Sequence, residues 1–247
     1  MNKIRIVMRT LWGRFLLFIL AILLSPFILV ACCLPQKWVL SSGLYRVLTR
    51  FLYSFVCYFS GVPIEIVGKE NIPENPAIIV ANHQSSLDIP LVGHLLGGHA
   101  HVWFALKSLL KSIVFRFLFP PFAIFVDMST SMTGMRSLMK AIKMLQVKPY
   151  HCIVFPEGGR FSDGKIHEFY SGFAILAKKL ERPVMPVYLH NVQKVYSPNS
   201  FLIREYKITI VIGEPFCMHI KETEDQYKNR VHAWFVQQEK KYNNIQK

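Results

Sequence analysis

Ala77-Ile78-Ile79-Val80-Ala81-Asn82-His83-Gln84-Ser85-Ser86-Leu87-Asp88 is the stretch on which the fold turns. Its first five residues are apolar throughout, without the alternation of a strand that has one wet face. Such a run reads as a strand covered on both sides. It gives way at once to a polar segment, and ligand sites of α/β folds gather at such carboxyl ends of strands. The same texture recurs along the chain and predicts strands at 64–67, 77–81, 101–106, 123–126, 152–155, 184–189 and 208–212. Helices are predicted between them at 133–146, 172–180 and 222–242. The first has an apolar face of Met135, Leu138, Met139, Ile142 and Leu145 opposite Arg136, Lys140 and Lys143. Ser131 or Thr133 is placed to cap it. Strand and helix in alternation predict an α/β fold: a single domain over 61–247, its mixed sheet flanked by helices.

The first 60 residues read differently. Residues 15–34 carry no charge, a length sufficient to cross ~30 Å of hydrocarbon as a helix. The run exceeds the ~7–15 apolar residues of a cleaved signal peptide. Leu29-Val30-Ala31-Cys32 resembles a bacterial lipoprotein cleavage box, but over four residues only. Lys3, Arg5, Arg9 and Arg14 precede the run and Lys37, Arg46 and Arg50 follow it, so flanking charge does not orient a span. Pro26, near its middle, removes one helical hydrogen bond and favours a kink. Two half-length pieces meeting there, entering and leaving the same leaflet, are therefore expected in preference to a straight span. Trp12 and Trp38 bracket the run as interfacial aromatics do. Residues 38–59 read as a second, amphipathic helix with Ser42, Arg46 and Arg50 on one polar stripe. The expectation for 1–60 is a two-helix membrane anchor with both ends in the cytosol.

Hydrophobic residues make up 52% of the chain and mean hydropathy is +0.29, which excludes a disordered basic tail. Yet the net charge is +14. No acid precedes Glu65, and residues 107–148 hold seven basic residues against Asp127 alone. Cationic excess beside an apolar anchor implies an anionic membrane surface rather than nucleic acid. The five cysteines are odd in number and form no Cys-x-x-Cys, so neither a disulfide framework nor a zinc site is expected. A reducing, cytosol-facing compartment follows. His94, His99 and His101 lack the carboxylate or thiol company of a metal site.

Two segments carry residues suited to chemistry. His83 and Asp88 suit a general base and the carboxylate that orients it, or merely a capping pair. Phe155-Pro156-Glu157-Gly158-Gly159-Arg160-Phe161 follows another predicted strand. Its glycines permit a tight turn whose N–H groups could cradle an anion, with Arg160 on a phosphate. An ordinary strand-exit turn with a surface Glu–Arg pair is the alternative. His167-Glu168, after Asp163-Gly164-Lys165, reads as a polar turn. An esterase would want a Gly-x-Ser-x-Gly elbow, which the sequence lacks.

Taken together, these blocks resemble the glycerolipid acyltransferase family, and within it the lysophosphatidate acyltransferases. Asn82-His83-Gln84-Ser85-x-x-Asp88 matches the family's His-x4-Asp block. Phe104-Ala105-Leu106-Lys107 through Ala123-Ile124-Phe125-Val126-Asp127 resembles the second block, Phe155-Pro156-Glu157-Gly158-x-Arg160 matches the third, and Val184-Met185-Pro186-Val187 the fourth. The resemblance covers about residues 61–215. It implies that His83 is the general base on the free hydroxyl of a lysophospholipid, most simply lysophosphatidate. Acyl-CoA or acyl carrier protein would be the donor substrate, and Asp88 would orient His83. It further implies that Glu157, Gly158, Gly159 and Arg160 bind the acceptor, with Lys107 adding charge. Neither a covalent acyl-enzyme nor a metal or cofactor is implied, and the catalytic domain would face the cytosol from the cytoplasmic membrane. Two positions depart from the family pattern: Met128 stands where an Arg is usual, and Gly159 where Thr or Ser is usual. Both lie on the acceptor side, so another lyso-lipid acceptor stays open. A non-enzymatic protein binding anionic membranes would explain the charge but not the paired blocks.

Overall fold

In the computed structural model, which describes residues 3–118, 121–148, 150–198 and 200–245, seven strands form one sheet. They are β1 Ile64–Val67, β2 Ile78–Ala81, β3 His101–Leu106, β4 Ala123–Val126, β5 His151–Val154, β6 Val184–His190 and β7 Ile208–Ile212. Each lies within a residue of its predicted bounds. The spatial order is β1-β7-β6-β2-β5-β3-β4. β6, β2, β5, β3 and β4 run parallel, while β7 is antiparallel to β6 and β1 follows β7. The sheet is therefore mixed, as expected. Every residue of β2, β6 and β7 is buried, which explains why these strands are continuously apolar.

The helices are α1 Lys3–Cys33, α2 Gln36–Ser41, α3 Gly43–Phe59, α4 Asp88–Leu95, α5 Ile113–Leu118, α6 Ser131–Val147, α7 Gly172–Leu180, α8 Val192–Val195 and α9 Glu224–Ile245. Leu138 and Ile142 of α6, Phe173 of α7 and Tyr227 and Phe235 of α9 cover one face of the sheet. Tyr53 and Cys57 of α3, Leu91 and Val92 of α4 and Val192 of α8 cover the other. The cap of α6 is neither Ser131 nor Thr133 but Thr130, whose hydroxyl accepts the Thr133 N–H at 3.1 Å. Thr133 is the reciprocal partner, accepting the Thr130 N–H at 3.1 Å. The hydroxyl one residue outside the helix wins because only there does the backbone stay extended.

The N-terminal region departs most from expectation. α1 is one helix through Pro26, not two half-length pieces meeting there. Proline at 26 cannot bond the carbonyl of Ile22, but the Ser25 hydroxyl donates to that carbonyl at 2.7 Å. The predicted helix over 38–59 is also two: α2 ends before Ser42, whose side chain caps α3 by accepting the Tyr45 N–H at 3.0 Å. Arg46 and Arg50 of the polar stripe flank the Gly97-Gly98 turn, where a Cβ at Gly98 (φ 92°) would meet the Arg46 carbonyl at 2.9 Å.

α3 is pinned to the body by His101, which is fully buried. The Tyr45 hydroxyl donates to the His101 carbonyl at 3.0 Å. His101 Nδ1 lies 2.8 Å from the His99 carbonyl, so it carries the proton, and Nε2 accepts from Tyr53 at 3.1 Å. Burial pushes the imidazole down to about 4 and keeps it neutral. The histidine-rich stretch thus serves packing, and no metal-binding cluster occurs among the described residues.

The basic residues of α1 have structural work as well. Arg9 pairs with Glu205 at 2.9 Å and donates to the Ile203 carbonyl at 2.6 Å. Arg14 donates to the Phe201 carbonyl at 2.9 Å and lies 3.9 Å above the Phe201 ring. Beyond Arg14, Phe15, Phe18, Ile22, Leu23, Phe27 and Val30 are exposed. Charge expected to meet headgroups is thus partly spent on fastening the first turns of α1 to the loop after α8.

Candidate active site

β2 ends at Ala81, and the next residue fixes the exit of the chain. The Asn82 side chain donates to the Leu189 carbonyl at 3.0 Å and accepts the Leu189 N–H at 2.7 Å. A side-chain amide thus prolongs the β2–β6 ladder while the backbone turns away. His83 follows, and Asp88 opens α4. The four residues between them bring the His83 Nδ1 to 2.7 Å from Asp88 Oδ2.

Asp88 is fully buried. The same oxygen accepts the N–H groups of Gln84 at 2.6 Å and Ser85 at 2.7 Å. Its place in the first turn of α4 adds the favourable end of the helix dipole. A carboxylate so held demands a proton on Nδ1, which leaves the Nε2 lone pair for chemistry. The contact has the geometry that a base and its orienter would need, and Asp88 is buried rather than solvated.

The third block closes on His83 from the other side. Phe155 stacks on the imidazole at 4.0 Å between ring centres, tilted by 13°. Glu157 Oε1 accepts the His83 N–H at 2.9 Å, and the Phe161 N–H donates to the His83 carbonyl at 2.9 Å. Arg160 Nε lies 3.4 Å from His83 Nε2. The two sequence blocks therefore form one site at the carboxyl ends of β2 and β5, which are neighbours in the sheet.

Several expected roles change. Glu157, expected to face the acceptor, is buried, and its second oxygen accepts the His167 N–H at 3.2 Å. Its carboxylate faces the His83 and His167 main chain rather than outward. Burial raises its carboxyl from 4.5 to about 7, against the lowering effect of the two N–H donors. Gly158 has φ 66°, and a Cβ there would come within 2.5 Å of the Tyr170 ring, so only glycine fits. Its N–H closes a turn onto the Phe155 carbonyl at 3.2 Å. Gly158 therefore contributes no free N–H to an anion cradle. Among the described residues, the N–H groups of Gly159 and Arg160 carry no backbone partner. Lys107 sits at the carboxyl end of β3 and pairs with Asp127 at 3.0 Å. Asp127 is held down to about 2 by Ser129 and Lys107. Among the described residues, no hydrogen bond joins Lys107 to His83, Glu157 or Arg160. Met128 is exposed beside that ion pair. His167 pairs with Asp163 at 3.0 Å and stacks on Phe161 at 3.8 Å, so the polar turn is tied into the wall of the site.

Sequence reasoning missed Phe155 as the platform of the imidazole, because it was the last residue of a predicted strand. It also missed Asn82 and Ser85, whose hydroxyl donates to the Tyr196 carbonyl at 2.6 Å.

Residues 63–190 match the model of the family described as Acyltransferase. The chain is similar to the 1-acyl-sn-glycerol-3-phosphate acyltransferase of Limnanthes alba, at 28% identity over 63% of this chain and 55% of that protein. It is similar to the yeast protein of the same name, from Saccharomyces cerevisiae, at 27% identity over 79% of this chain and 61% of that protein. The matched stretch thus spans little more than half the length of these curated relatives. The protein of that name from Pseudomonas aeruginosa is 28% identical over 82% of this chain and 73% of its own. In three dimensions the chain is similar to the 1-acyl-sn-glycerophosphate (LPA) acyltransferase of Thermotoga maritima, with a TM-score of 0.77, 24% identity and 98% of each chain covered.

Proposed function

Since the chain belongs to the acyltransferase family, we propose that it transfers a fatty acyl group from a thioester donor, acyl-CoA or acyl carrier protein, to the free hydroxyl of lysophosphatidate, giving phosphatidate. The observation that carries this reading is the His83–Asp88 contact of 2.7 Å beneath Arg160. His83 Nε2 takes the proton of the acceptor hydroxyl as its oxygen attacks the thioester carbonyl. Asp88 stays ionised and steadies the imidazolium that forms. The tetrahedral intermediate collapses with cleavage of the C–S bond, and the leaving thiolate takes the proton back from Nε2. Arg160 must leave Nε2 for this to happen. An acceptor phosphate draws the guanidinium into a bidentate pair and uncovers the base in the same motion. The names of the relatives support lysophosphatidate as acceptor. Met128 and Gly159 favour a second reading, the same chemistry on another lyso-lipid.

The exposed apolar length of α1 supports residence in a membrane. The α/β body then stands on the cytosolic face, where its thioester donors are made, with α3 alongside it at the interface.

Purified full-length protein given acyl-CoA or acyl carrier protein donors and a panel of lyso-lipids tests the reading. His83→Ala should lower kcat by roughly 10²–10⁴-fold through loss of the base. A wild-type rate no higher than that of His83→Ala across the whole panel would sink acyl transfer. A higher kcat/KM on a lyso-lipid without a terminal phosphate would replace the acceptor. Arg160→Ala should mainly raise the acceptor KM, and an unchanged KM would remove its assigned role.

A further inference from the structure

α6 begins a few residues after β4, which runs parallel to β2 and ends at the same carboxyl side of the sheet, with β5 and β3 between them. One face of the helix is core, with Leu138, Ala141, Ile142 and Leu145 buried. The opposite face is not the uniformly polar surface of a solvated helix. Met132 is 64% exposed, Met135 48% and Met139 39%, and Met128 just before the helix is 47% exposed. Arg136, Lys140 and Lys143 line one shallow groove with Met132, Met135 and Met139. None of the three cations has a carboxylate partner among the described residues.

The contrast with α1 decides what this face meets. Arg9 and Arg14 of α1 are consumed by Glu205, backbone carbonyls and the Phe201 ring. They are poorly placed to hold headgroup phosphates. α6 offers uncommitted cations spaced by flexible, polarisable side chains that can sink among acyl chains. α5, which packs on α1, adds exposed Ile113, and the turn just before it adds exposed Leu109. We propose that the outer face of α6 is a second membrane contact, pressed into the headgroup layer of an anionic bilayer. Each Lys or Arg brought to such a surface is attracted to its anionic lipids, while the methionines bury apolar area. The contact turns the carboxyl end of the sheet, and with it His83 and Arg160, toward the interface in which a lyso-lipid resides. It is independent of which lyso-lipid is acylated.

Methionine oxidation tests this directly. Full-length protein is reconstituted in phosphatidylcholine discs or in discs that also contain phosphatidylglycerol, then treated with dilute peroxide. Oxidation is read by peptide mass spectrometry, with buried Met185 as the internal control for folding. Met132, Met135 and Met139 should oxidise several-fold more slowly in the anionic discs, and high salt should remove the difference. The triple variant Arg136→Gln, Lys140→Gln, Lys143→Gln should oxidise at the neutral-disc rate in both. Equal rates in the two lipids overturn the contact. So does slowing in neutral discs that needs an added acyl-CoA or acyl carrier protein, which would make the groove a donor site. Retention in the disc through α1 is scored separately, so failure at α6 leaves the reading of α1 and of the reaction standing.

Discussion

Two backbone N–H groups, those of His83 and His167, converge on the one carboxylate of Glu157. That geometry gives the residue a pH signature. Its carboxyl is raised from 4.5 to about 7, chiefly by burial. An acid with a native pKa above its unfolded value binds more protons when folded. Its contribution to stability is complete below about 4.5 and is lost as pH rises through about 7. Glu157→Gln removes this titration. Its denaturation midpoint should change less than that of the wild type between pH about 5 and about 8. Identical pH slopes in the two proteins would show that Glu157 does not titrate in this range. Glu157→Ala should be worse at every pH, because each buried N–H left without a partner costs ~1–3 kcal/mol. The sequence already marked His83 and Asp88 as a pair, since a short turn leaves few ways for residues so close to miss one another. It marked Glu157 as important but aimed it outward, because its partners are main-chain groups that no side-chain pattern announces.

Among the secondary elements, continuous apolar runs located every strand to within a residue, and helical spacing located Leu138, Ile142 and Leu145 on the buried face of α6 but wrongly added Met135 and Met139, which are exposed. Local sequence was weaker at the ends and breaks. Ser129, Thr130, Ser131 and Thr133 are all hydroxyl residues, and the backbone alone decides that Thr130 is the cap. Thr130→Val should therefore cost ~1 kcal/mol of stability, while Ser131→Ala should cost far less. Equal losses in chemical denaturation would move the cap to Ser131. Pro26 signalled a break that the adjacent Ser25 hydroxyl averts, whereas Ser42-Gly43 ended a helix where the hydrophobic pattern ran on. In both places a single polar contact overrides a regular pattern.

Across the whole molecule, the alternation of strands and helices made an α/β domain legible, but not the order of the strands. The reversal of β1 and β7 depends on the antiparallel pairing of β7 with β6, Val187 opposite Ile212, which no local pattern encodes. The docking of α1 was hidden for the same reason, since Arg9 finds Glu205 and Ile203 at the far end of the sequence. That docking divides α1 in two. Residues up to Arg14 are fastened to the body, and 15–33 rise ~28 Å as helix, close to the ~30 Å of an ordinary hydrocarbon layer. A chain free to slide would adapt to a thicker bilayer by tilting. This one is clamped at Arg14, and the clamped loop reaches the His83–Asp88 turn through the bond from Ser85 to the Tyr196 carbonyl. Turnover measured in discs of increasing acyl length should fall once the hydrocarbon outgrows α1, and Arg14→Gln should flatten that fall. A flat profile in the wild type would mean the clamp carries no strain. On the proposed reading of α1 as a membrane helix, the clamp makes it a gauge as well as a tether: membrane thickness becomes a mechanical load on the loop bonded to Ser85.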